Sequence, residues 1–135
     1  MPMTEKELVA RAIGAKKYAY SPYSGFHVGA AILCKDGSLY TGCNIENSSY
    51  GITICAERTA LFKAVSEGHT DDFEIMAVTG DSESFCMPCG ACRQALSEFA
   101  PDLPVFLSNR DGEYYRTTVA ELLPGSFGPE HLSGK

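Results

Sequence analysis

Two short cysteine groups, Cys55-Ala56-Glu57 and Pro88-Cys89-Gly90-Ala91-Cys92, restrict this 135-residue chain more than any other feature. Each opens a segment of helical periodicity. After Cys55 the residues Ala56, Ala60, Leu61, Ala64 and Val65 form an apolar stripe that closes at Gly68, a residue suited to the C′ position. After Cys89, a helix is expected to carry Ala95, Leu96 and Phe99 inward and to stop at Pro101. A cysteine at a helix start lies among free backbone N–H groups at the positive end of the helix dipole, which favours thiolate over thiol. The fold must therefore allow two helix N-termini to meet, where they can share one ion.

Cys55, Cys89 and Cys92 supply three thiolates, and catalytic zinc takes three protein ligands while keeping a fourth position for water. One Zn²⁺ per chain is expected. Glu57 is left unligated two residues after the first ligand, where a carboxylate can take a proton from the bound water and return it to a substrate. This coupling of C-x-E to P-C-x-x-C is the arrangement found in zinc deaminases in their three-cysteine form. A closed four-thiolate site stands as the alternative, because Cys86, Cys89 and Cys92 recur every third residue. It gives Glu57 no task. A thioredoxin-like dithiol leaves Cys55 unexplained. Three thiolates give the centre a charge of −1, which raises the pKa of bound water above the roughly 7 reached with neutral ligands. Arg58 is placed to offset this by donating to sulfur, its alternative being an exposed surface arginine.

Composition narrows the function classes. Apolar residues make up 44% and charged residues 21%, as in an ordinary globular protein, and the length suits a single domain spanning residues 1–135. The net charge of −6, with no basic run beyond Lys16-Lys17, disfavours a nucleic-acid partner. No apolar run approaches a membrane span and MPMTEKELVARA lacks a secretory pattern, so a cytoplasmic location is expected. In that reducing compartment Cys34 and Cys43, which fall in apolar strand-like segments, read as small buried residues rather than disulfide partners.

Along the chain, Thr4 and Glu7 form a capping-box pattern, and Leu8, Ala12, Ala15 and Ala19 predict a helix ending before Ser21-Pro22. Strands are expected over Phe26–Cys34 and Ser38–Asn44, joined at Asp36-Gly37, then over Phe73–Thr79, Val105–Leu107 and Tyr114–Thr118. A short helix over Val119–Leu123 precedes a Gly/Pro-rich tail. This order predicts an α/β fold, a three-layer α/β/α sandwich around a mixed five-stranded sheet.

Four stretches, SPYSGFHVGAA (21–31), NIENSSYGITICAERTAL (44–61), MPCGACRQAL (87–96) and LLPGSFGP (122–129), resemble the small homotetrameric cytidine deaminases across nearly the whole length. That resemblance implies a hydrolase acting on the amidine C–N bond of a free pyrimidine nucleoside, with zinc hydroxide as nucleophile and Glu57 as proton shuttle. It implies that Asn44 and Glu46 hold the ribose hydroxyls, that Phe26 stacks on the base, and that the Ala56 backbone with Glu57 reads its edge. Tyr50 and Phe127 would complete a pocket shared between subunits of a homotetramer. Gln94 matches a position beside the zinc cysteines, where support of the site and ordinary helix surface are both open. Plain core packing for Phe26 and turn roles for Asn44 and Glu46 are the alternatives. Met87 stands where the family commonly has a small polar residue, and Cys86 precedes it.

Among functions, deamination of cytidine and deoxycytidine in pyrimidine salvage is expected ahead of a related deaminase acting on a cytosine antibiotic such as blasticidin. A polynucleotide deaminase needs a basic, aromatic groove that this acidic chain lacks. A zinc-stabilised binding module predicts a closed metal site.

Overall fold

The computed structural model describes residues 3–132; Met1-Pro2, part of the N-terminal segment read above, and the last three tail residues lie outside the described residues. Helix α1 (Glu5–Ala15) starts where the capping box directs. Glu7 N–H donates to Thr4 Oγ1 at 3.1 Å and Thr4 N–H to Glu7 Oε1 at 3.4 Å. It ends earlier than the apolar spacing predicts. A single 3₁₀ turn, Lys16–Tyr18, follows Ala15, and Tyr20 N–H then bonds the Asn44 carbonyl at 3.0 Å, drawing Ala19 and Tyr20 out of the helix.

Strands β1 (Val28–Cys34) and β2 (Leu39–Cys43) form the expected hairpin, its turn using Gly37 at a φ of 94°. β1 begins two residues after Phe26 because side chains take the backbone groups that a neighbouring strand would otherwise pair. Asn44 Nδ2 donates to the Phe26 carbonyl at 2.8 Å, His27 N–H to Asp81 Oδ2 at 2.7 Å, and Val28 N–H to Asn44 Oδ1 at 2.9 Å. Helix α2 (Ala56–Ser66) closes in a Schellman motif: Gly68, at a φ of 100°, donates to the Val65 carbonyl, and His69 to that of Ala64. Then come β3 (Phe73–Gly80), α3 (Gly90–Phe99), β4 (Pro104–Ser108), β5 (Tyr114–Thr118) and α4 (Val119–Leu122). A further short helix, α5 (Pro129–Leu132), forms in the tail, which the sequence reading leaves irregular.

The five-stranded sheet runs β2-β1-β3-β4-β5, with β3 and β4 parallel and the other pairs antiparallel. Helices cover both faces, as the three-layer expectation requires. Strand alternation sends Ala31, Ala77 and Phe106 toward Leu8, Val9 and Ala12 of α1. Ala30, Ile32, Met76, Val78, Val105 and Leu107 face the opposite way, against Ala60, Leu61 and Ala64 of α2 and Leu96 of α3. Cys34 lies buried in this second core and Cys43 is half-buried on β2, in keeping with structural roles.

The register sets the position of the site. Gly29 pairs with Cys43 and Val28 with Gly80, so the end of β2, the start of β1 and the end of β3 lie together at one end of the sheet. α2 and α3 begin there too. Backbone contact holds the first of them: a Cβ at Gly42 would lie 2.5 Å from both the Ala56 carbonyl and the Ala60 nitrogen. Neither atom can swing aside. Gly42→Ala is therefore expected to lower stability by about 1–3 kcal/mol and to loosen zinc retention together with it. Urea denaturation and zinc content per chain measure the two effects, and an unchanged midpoint would show that this approach is not tight.

Candidate active site

Cys55 is the N-cap residue of α2 and Cys89 that of α3, both extended, at φ −80° and −69°, and neither side chain caps its own helix. Both sulfurs are thus available to a common partner. Cys92, in the first turn of α3, is buried. The three sulfurs lie within 4.8 Å of one another, with Cys55 and Cys89 Sγ 3.6 Å apart. Such a donor set suits zinc.

Cys55 is held below the ordinary thiol range. A hydrogen bond from Cys92 draws it down to about 5, against the effect of burial, with further help from Arg58 and Cys89. Cys92 is pushed up as the donor of that bond and by burial. Arg58 Nη2 donates to Cys55 Sγ at 3.5 Å, and the thiolate strengthens the guanidinium's hold on its proton. Arg58 Nε is buried without a hydrogen-bond partner among the described residues. Arg58 is therefore not an ordinary surface arginine.

Glu57, in the first turn of α2, is only 3% exposed. Burial pushes its carboxyl up to about 7, and the charge of Cys55 adds to the rise while Arg58 opposes it. An acid poised there can both take and return a proton at neutral pH.

These groups open into a pocket of about 240 Å³ whose wall includes Phe26, Asn44, Ala56, Glu57, Cys86 and Met87. A larger cleft of about 530 Å³ near Lys35–Gly37 and Glu74 lies away from the sulfurs, and chemistry rather than size selects the smaller one. Cys86 stands outside the three-sulfur group, so the four-thiolate arrangement is not assembled. Its sulfur packs beside the Phe26 ring over Gly80, and burial, followed by the charge of Glu57, pushes the thiol up to about 12. Cys86 and Met87 are wall residues, which the sequence marked as the fourth ligand of the alternative closed site and as a departure from a family pattern.

Of the remaining expected contacts, Asn44 lines the pocket, whereas Glu46, Tyr50 and Phe127 do not. Glu46 accepts from Tyr23 N–H and Ser24 N–H at 2.9 and 3.1 Å and from the Ser24 hydroxyl, and the Asn44 amide holds the Phe26–Val28 backbone. Tyr50 is 72% exposed and meets Tyr23 edge-on at 5.7 Å. Phe127 is 56% exposed, outside the pocket of its own chain, and stacks on His131 at 5.3 Å. Gln94 Nε2 donates to the Phe127 carbonyl at 2.9 Å, so Gln94 supports the tail.

A second group, Cys34, His69 and Asp72, also brings three donor atoms within 4.8 Å. It sits at the far end of β1. His69 Nδ1 and the Asp72 carboxylate are paired at 2.8 Å, and burial holds the Cys34 thiol up at about 11. The carboxylates lining the larger cleft beside it, Asp36 and Glu74, are exposed, unlike Glu57.

Residues 2–108 match the family described as the cytidine and deoxycytidylate deaminase zinc-binding region. A cytidine deaminase of Sporosarcina psychrophila is 53% identical over 132 residues, covering 97% of this chain and 96% of that protein. One from Halalkalibacterium halodurans is also 53% identical, covering 97% and 99%. The crystal structure of a cytidine deaminase from Burkholderia pseudomallei superposes with a TM-score of 0.90 at 46% identity, covering 93% of this chain and all of that one. The chain belongs to the cytidine deaminase family, enzymes that deaminate hydrolytically, and its cofactor is one zinc ion.

Two outcomes follow from this geometry. Serine at Cys55, Cys89 or Cys92 should lower zinc per chain sharply, since a hydroxyl is a poor ligand at neutral pH, whereas Cys86→Ser should leave it unchanged; equal loss at Cys86 would restore the closed site. The zinc-free protein should also gain stability on Glu57→Gln. Glu57 has a folded pKa of about 7, raised from 4.5, so its penalty is absent below about pH 4.5 and develops as pH rises to about 7. Relative to wild type, the variant should therefore gain about 2–3 kcal/mol between pH 5 and pH 8. Urea titrations of chelator-treated proteins at the two pH values measure it, and a stability difference that does not change with pH would contradict a buried, raised Glu57.

Proposed function

We propose that this protein hydrolyses the 4-amino group of free cytidine and deoxycytidine, giving uridine or deoxyuridine and ammonia for pyrimidine salvage in the cytoplasm. The observation that carries this reading is Glu57, a buried carboxyl raised to about 7 at the junction of the three-sulfur cluster and a pocket of nucleobase size. Its relatives at 53% identity are named cytidine deaminases. Cys55, Cys89 and Cys92 would hold the zinc, which would supply Lewis acidity toward a water at C4. Glu57 would accept a proton from that water and pass it to N3 of the ring, then carry the proton of the hydroxyl added at C4 to the amine, so that ammonia leaves and the C4 carbonyl forms. Arg58 steadies the negative charge on the sulfurs.

The chain's other residues seat the nucleoside. Phe26 offers an aromatic face to the flat base, and the backbone at Ala56 reads its edge. Asn44 and Glu46 are held in place by their own backbone bonds and retain lone pairs for the ribose hydroxyls. Tyr50 would complete the pocket. Phe127 serves a neighbouring pocket in a homotetramer: it lies outside its own, and exposed Tyr18, Tyr20, Tyr23, Ile45, Ile52 and Phe62 offer apolar surface for association. Among the described residues no helix is long and apolar enough to cross a membrane.

Loss of cytidine absorbance on incubation with the enzyme tests the activity directly. Glu57→Gln should keep zinc and fold and lose about 10²–10⁴ in kcat, the worth of a positioned proton shuttle. Retention of more than about a tenth of wild-type kcat at full zinc content would remove Glu57 from this role. Phe127→Ala should raise KM, and mixing it with Glu57→Gln under subunit exchange should regenerate intact pockets and activity above the sum of the two. An active monomer by light scattering would contradict the shared pocket.

A further inference from the structure

Arg93 follows Cys92 directly in α3, and its planar fork reaches two segments that no strand or helix joins. Its Nε donates to the Pro88 carbonyl and its Nη1 to the Leu122 carbonyl, both at 2.8 Å. Pro88 is fully buried and precedes Cys89, so the bond to its carbonyl orients the peptide from which the Cys89 side chain projects. Leu122 is the last residue of α4, where the chain leaves for Phe127. The next residues of α3 follow that chain outward. Gln94 holds the Phe127 carbonyl at 2.9 Å, and Ser97 Oγ meets Ser126 Oγ at 3.1 Å.

No carboxylate lies within 4.0 Å of the Arg93 guanidinium among the described residues. A half-buried cation bonded to two carbonyls is not a surface ion pair. What distinguishes arginine there is its rigid, diverging set of donors, which a lysine ammonium on a flexible stem cannot reproduce. We infer that Arg93 is a positioning residue that ties the metal-holding loop to the Phe127 tail, making zinc retention and nucleoside binding depend on one guanidinium. The nucleoside-binding half rests on the proposed service of Phe127 to a neighbouring pocket; the mechanical tie between loop and tail does not.

The test uses the zinc-loaded full chain with Arg93→Lys, or Arg93→Gln should the lysine variant fail to fold. Three quantities are measured: the rate of zinc transfer to a chromogenic chelator, KM and kcat for cytidine, and hydrogen exchange in residues 86–90 and 123–128. Zinc transfer should quicken at least about tenfold, as for loss of a ligand's support. Exchange should rise in both segments. KM should rise about tenfold, the equivalent of one charge-assisted hydrogen bond, with a smaller change in kcat. If the KM effect passes through the tail, adding Arg93→Lys to Phe127→Ala should raise KM no further while still quickening zinc transfer. A folded Arg93 variant with wild-type zinc transfer, or with exchange altered in only one segment, overturns the inference, as do KM effects that multiply in the double variant. A wild-type KM for Phe127→Ala would instead sink the neighbouring-pocket reading, and the exchange and zinc measurements would still decide the tie.

Discussion

The convergence of two helix N-termini on three sulfurs is the constraint on which the rest of this structure depends. Three thiolates gathered within 4.8 Å would repel one another, and a buried glutamate beside them adds a further unfavourable group. What compensates is fixed polarity: the open N–H groups of α2 and α3, the dipoles behind them and the guanidinium of Arg58 all favour negative charge at this point. Zinc completes the balance in the loaded enzyme. The site is thus destabilising taken alone, and the α/β scaffold must hold it.

The scaffold does so through small residues and backbone clamps. Gly42 lets the first turns of α2 lie directly on β2, so Cys55 and Glu57 are located by main-chain contact rather than by flexible side chains. Asn44 and Asp81 grip successive backbone groups around Phe26, which fixes the aromatic wall of the pocket without extending the sheet into it. On the outer side, Arg93 and Gln94 extend the same rigidity from the metal loop to the tail. Rigid placement matters because proton transfer and attack at one carbon tolerate little displacement.

The two faces of the chain differ in purpose. The α1 face is closed by Leu8, Val9, Ala12 and Phe106 in ordinary core packing. The region around the pocket mouth leaves large aromatics uncovered, and the tail carries Phe127 away from its own pocket. A fold made only for monomeric stability has no reason to leave those groups in water; in the proposed assembly they meet neighbouring chains.

The elements and the metal donors were legible in the sequence because both are written in local chemistry. Periodicity and the Thr4/Glu7 box located α1, Gly68 ended α2, and Cys55 and Cys89 marked two helix starts that the structure brings together. Element ends were less legible where non-local bonds decide them. The early end of α1 and the late start of β1 depend on Asn44, from a distant loop. The sequence disfavoured Cys86 as a ligand because it precedes the helix start although its spacing matches that of Cys89 and Cys92, and the fold turns its sulfur elsewhere, toward Phe26 and Gly80. Only tertiary structure decided the role of Gln94, whose partner is the tail, and the raised pKa of Glu57, which arises from burial that no short motif encodes. Motifs specify which atoms can act; packing decides which of them meet and in what charge state.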